Sequence, residues 1–142
     1  MKEKKQSKDW YIAATHWLTA GVLMPFLIRI VLGTPAVIII GEDNTALLFV
    51  VMEVIWIIGI WLGVINAAKY INKTYIIKNS KNITKMATIY LGISQGGYIL
   101  FQLSKGVTGA SIIDIGFFVV GVTVFCILSK KYIKNSEEVM AQ

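Results

Sequence analysis

Five side chains capable of chemistry interrupt otherwise apolar stretches: His16, Arg29, Glu53, Gln95 and Asp114. Glu53 is the most demanding of them. It is the one charge in Thr45–Asn66, TALLFVVMEVIWIIGIWLGVIN, a run of 22 residues. At about 1.5 Å rise per residue, about 20 apolar residues cross the hydrocarbon core of a bilayer, so this run reads as a transmembrane helix. The same rise puts Glu53 roughly 12–14 Å in, close to mid-depth. A carboxylate there must be protonated, paired or facing a wet cavity. Gln95 lies near the same depth and needs a hydrogen-bond partner inside protein. An ion at a helix centre costs about 2.5–3.5 kcal/mol on insertion scales, so the expectation is that Arg29 pairs with Glu53, Asp114 or both. Blander readings stand beside it. Arg29 can snorkel to the interface, Asp114 can cap its helix through Ser111-Ile112-Ile113-Asp114, and Glu53 can sit in a purely structural pair.

His16 stands apart. On an undistorted helix it points about 140° away from Arg29. A lone membrane histidine reads first as a hydrogen-bonded packing residue, and second as a ligand. A metal or haem site through His16 would need Met24, Met52, Met86 or Cys126, and no spacing supports any of them. The chain carries no nucleophile elbow, no phosphate-binding glycine loop and no metal-ligand cluster. No enzyme, no metal and no cofactor is therefore expected.

Two local resemblances accompany these residues. His16-Trp17-Leu18 resembles the His-Trp start of the first helix in bacterial di-haem b-type cytochromes, which are small four-helix proteins. That resemblance implies a haem-binding redox subunit through His16, in families that use several histidines where this chain has one. The wider pattern His16…Gly21…Pro25-Phe26…Arg29 is similar to the first helix of some four-span bacterial membrane proteins. It covers about 15 residues and implies no activity.

The elements that position these groups follow from the apolar runs. Four helices are expected, at about 10–32, 45–66, 84–104 and 111–129, in one domain spanning 1–142. Pro25 should kink the first near Gly21, and Gly33-Thr34-Pro35 should stop it. Glu42-Asp43-Asn44-Thr45 offers capping side chains to the second. Residues 67–85 read as a loop whose five lysines alternate with Tyr and Ile, fit to lie on an anionic leaflet. Gly59 with Gly63, and Gly92 with Gly96, have the small-xxx-small spacing that lets membrane helices approach closely. Thr88, Gln95 and Gln102 share one stripe of the third helix, the most polar of the four.

Composition agrees. The chain is 56% hydrophobic and only 15% charged, below the charge of a soluble domain. Abundant Lys and Ile hint at an AT-rich prokaryotic genome. The N-terminal tail, the 67–85 loop and the C-terminal tail hold 4, 5 and 3 lysines, which is 12 of the 14 basic residues. Four spans with that asymmetry place both termini in the cytoplasm. The net charge of +6 is thus a topology signal and gives no ground for nucleic-acid binding. The expectation is an all-α four-helix bundle, multi-pass in the plasma membrane and surrounded by lipid. It would be a homo-oligomer or the partner of another membrane protein. Three functions are open. The first is a non-enzymatic accessory, interaction or immunity-like subunit. The second is a small ion- or proton-coupled transporter or channel using Glu53. The third is the haem-binding subunit.

Overall fold

The computed structural model describes residues 4–41 and 43–136, apart from the side chain of Ala110. Lys2, counted among the tail lysines, and Glu42 lie outside the described residues. The chain is all-helical. Helix α1 spans Asp9–Ile40, α2 Thr45–Thr74, α3 Ser80–Ser104 and α4 Gly109–Tyr132. By length and composition, α1, α2 and Ser111–Tyr132 within α4 are apolar enough to cross a membrane.

Each helix is longer than its hydropathy suggested. Pro25 lacks an N–H, and its ring crowds the carbonyl four residues back. The chain answers by widening into a π-helical segment over Leu18–Leu23 and then resumes as α-helix. Gly33-Thr34-Pro35 does not stop α1, which continues through Ala36–Ile40. Those residues are the last turns of a helix, although the first helix was expected to stop at Gly33-Thr34-Pro35. In an apolar medium an unpaired backbone costs more than a strained turn, and an apolar run favours continued helix. Thr34 Oγ1 donates to the Ile30 carbonyl at 2.9 Å. Gly41, at φ 78°, ends the helix in a conformation that favours glycine.

Helix α2 runs eight residues past Asn66, whose side chain donates to the Leu62 carbonyl and does not break the helix. Its N-cap is Asn44, which accepts from Leu47 N–H. The expected loop 67–85 shrinks to a short connection between Thr74 and Ser80. Helix α4 begins one residue after Thr108, which forms a reciprocal capping box with Ser111. The cap therefore lies earlier than expected, and Asp114 is not part of it.

Helix α1 packs on α2, α2 on α4, α4 on α3, and α3 on the N-terminal part of α1. The fully buried side chains Ile12, His16, Val64, Ile71, Ile83, Leu91, Phe125 and Ile133 gather toward the end that holds the two tails and the α2–α3 connection. Hydrogen bonds tie that end together. Lys5 N–H donates to the Thr74 carbonyl (2.8 Å), and Ile76 N–H donates to the Lys5 carbonyl (3.0 Å). Asn72 Nδ2 donates to the Tyr132 carbonyl (2.7 Å), and Ser80 N–H to Asn135 Oδ1 (2.8 Å). Toward the opposite end Ile38, Ile39, Leu100, Phe101 and Ile112 are exposed. The helices are close-packed at the tail end and looser at the other.

Candidate polar binding cavity

The looser half holds a cavity to which every helix contributes. Arg29 comes from α1, Glu53 and Trp56 from α2, Gln95 and Tyr98 from α3, and Asp114 and Phe118 from α4. An inner chamber of about 60 Å³ has room for a few waters. It shares Arg29, Glu53, Trp56, Gln95, Tyr98 and Asp114 with a groove of about 710 Å³. That is the size of a small-molecule pocket.

The α1–α2 crossing sets the geometry. A Cβ on Gly59 would lie 2.4 Å from Pro25 Cα, and one on Gly63 would lie 2.8 Å from Ala20 Cα. Both distances are below any tolerable contact, so the two backbones can meet only through glycine. Arg29 follows Pro25 by about one turn, and Glu53 precedes Gly59 by less than two. In antiparallel helices this brings the two side chains together. Arg29 Nη2 forms an ion pair with Glu53 Oε1, and Arg29 Nε donates to the Met52 carbonyl at 3.4 Å. The Glu53 side chain is 14% exposed and that of Arg29 37%. Asp114 lines the same cavity. One guanidinium thus shares the space with two carboxylates. Gln95 offers an amide to the same space, which Trp56 and Tyr98 also line.

The structure therefore brings together the four residues singled out by charge and polarity. It adds Trp56, Tyr98 and Phe118, which the sequence reading passed over. A signal for them exists: each lies three or four residues from Glu53, Gln95 or Asp114, on the same helical face. Trp56 is held by a glycine too, since a Cβ on Gly121 would lie 2.3 Å from its ring. Gly92 and Gly96 take no part in a close approach. A Cβ at Gly92 would meet nothing within 4 Å, and one at Gly96 only the edge of Phe118 at 3.7 Å.

His16 is not part of this cavity. It is fully buried in the tail-end core, with Nε2 2.8 Å from Ser129 Oγ and its ring 5.1 Å from that of Phe125. Its Nδ1 has no hydrogen-bond partner among the described residues. A haem needs at least one ring nitrogen open to its face. Here Nε2 is engaged by the Ser129 hydroxyl and the ring is fully enclosed in the core, so His16 as placed leaves no room for a haem. Among the described residues there is no group of three or more His, Cys, Asp or Glu that could hold a metal. Comparison with family models, with curated proteins and with solved structures finds no match to this chain.

Proposed function

We propose that the chain is a non-enzymatic multi-pass protein of the plasma membrane, a bundle of four spanning helices with both termini cytoplasmic. It binds a small cationic solute or ion in the Arg29–Glu53–Asp114 cavity, as a carrier or channel. The carrying observation is the convergence of one cation, two carboxylates and an amide from four different helices on one solute-sized cavity. A purely structural ion pair would need no such space. The lysines of the tails, of the α2–α3 connection and of the helix ends beside it lie at one end, tied by hydrogen bonds, and support the topology, because basic residues favour the cytoplasmic face. The cavity then lies toward the outer side.

Arg29 acts as an internal stand-in for the solute. In the empty site its guanidinium neutralises Glu53, while Asp114 keeps the site net negative. An incoming cation takes the carboxylates and displaces Arg29 toward the groove, where it is already partly exposed. Trp56 and Tyr98 suit an organic cation, whose charge is attracted to ring faces. Thermal stabilisation of the purified protein by sodium and by choline tests this reading. Choline or sodium should raise the unfolding temperature of the wild type and fail to do so in Glu53→Gln and Asp114→Asn. Stabilisation that persists in both variants, or no stabilisation by any probe, would reject it.

A second reading, an accessory or interaction subunit, is favoured by a different observation. Gly92, Gly97 and Gly116 have nothing within 4 Å of a built Cβ, which leaves small-residue surface for another membrane helix or a second copy. Co-purification of a stoichiometric partner would favour it.

A further inference from the structure

We infer that the groove between α3 and α4 at the tail end is a site for a phosphate-bearing anion, the headgroup of an anionic phospholipid. The inference shares the membrane reading above but does not depend on the Arg29 cavity. Lys81 and Lys85 border the groove one turn apart on α3, and Lys130 and Lys134 border it from the end of α4 and the residues just after it. Ser80 and Thr84 add hydroxyls to the same wall, where Thr88 already donates its own to the Thr84 carbonyl at 2.8 Å. The groove measures about 740 Å³, and no described carboxylate lines it. None of these four lysines forms an ion pair among the described residues. Asp9, on the neighbouring helix, already accepts from Asn82 Nδ2 at 2.9 Å.

Four ammonium groups around one groove repel each other, and a bound anion relieves that repulsion. Lysine is a common phosphate partner as a point charge, and hydroxyls complete the shell of the non-bridging oxygens. The groove is also polarised along its length. Its lysines lie at the tail end, while Ile89 and Cys126 line it deeper along the helices. A charged rim over an apolar wall fits an amphiphile better than a free anion. Basic pockets between membrane helices on the cytoplasmic side are where anionic headgroups settle.

The test is native mass spectrometry of the delipidated full-length protein titrated with short-chain phosphatidylglycerol, phosphatidylcholine or inorganic phosphate. Phosphatidylglycerol should bind in preference to phosphatidylcholine. Lys85→Gln/Lys130→Gln should weaken it about thirtyfold, from the usual contribution of two lysines at an anionic surface. Lys69→Gln/Lys73→Gln removes the same charge from α2, outside the groove, and should leave the affinity within about twofold. Equal losses in both pairs would show diffuse surface charge and overturn the site. So would binding of phosphatidylcholine as tight as phosphatidylglycerol. Displacement of the lipid by inorganic phosphate at equal concentration would assign the groove to a free anion and overturn the lipid assignment. Glu53→Gln should keep the lipid affinity, which separates failure here from failure of the outer cavity.

Discussion

A double-mutant cycle on Arg29 and Glu53 has a magnitude that the structure lets one work out. The two side chains form an ion pair far from either end of their helices, and Asp114 faces both. Breaking a buried pair from one side costs about 3–5 kcal/mol, because the surviving charge is left uncompensated. Arg29 is more than a third exposed, so the lower end of that range applies. Arg29→Gln leaves two carboxylates together with no cation and should cost about 3 kcal/mol. Glu53→Gln leaves Arg29 with Asp114 still in reach and should cost about half as much, roughly 1–2 kcal/mol. The double variant exposes no unpaired cation, and the coupling should be about 2 kcal/mol. Equilibrium unfolding in mixed micelles, followed by tryptophan fluorescence, reads all three. Additivity within about 0.5 kcal/mol would refute the pairing argument. A Glu53→Gln cost as large as that of Arg29→Gln would refute the role given to Asp114.

Gly59→Leu should destabilise by at least about 2–3 kcal/mol in the same assay, since even its Cβ would lie 2.4 Å from Pro25 Cα, whereas Gly92→Ala should be neutral or stabilising by up to about 1 kcal/mol. A neutral Gly59→Leu would mean that α1 and α2 do not cross as described. Ser129→Ala should cost about 1–3 kcal/mol, because it leaves a second nitrogen of the buried His16 ring without a partner. Restoring the hydroxyl with Ser129→Thr should recover part of that loss, and no recovery would point to packing alone.

What could be read from the chain depended on which physical signal each feature carries. A single charge in an apolar run announces itself, so Glu53 and its need for a partner were plain. Which partner it meets depends on how each helix is rotated about its axis, and hydropathy does not encode that. The crossing at Gly59 and Pro25 sets this rotation for α1 and α2. The spacing of Gly59 and Gly63 advertised it, yet Gly92 and Gly96 have the same spacing and make no close helix crossing. Helix ends misled too. Gly33-Thr34-Pro35 breaks helices in water, but within an apolar segment the backbone keeps its internal hydrogen bonds, while Asn66 is carried through because Ala67, Ala68 and Ile71 bury on the turns beyond it. Asp114 looked like a cap because Ser111 precedes it by three residues, while Thr108 holds the same spacing to Ser111 and wins. Trp56, Tyr98 and Phe118 carried no signal of their own, since aromatic residues are common in membrane helices. Only their spacing from a charged neighbour marks them.

The central claim is that the Arg29–Glu53–Asp114 cavity opens to the outer aqueous side and can admit a solute. Gln95→Cys in a Cys126→Ser background places one thiol on its wall. Labelling by a membrane-impermeant thiol reagent is then compared between intact cells and inside-out vesicles. Labelling from the outside and protection in inside-out vesicles are expected. Labelling from the cytoplasmic side alone, or labelling only after detergent opens the protein, would contradict it.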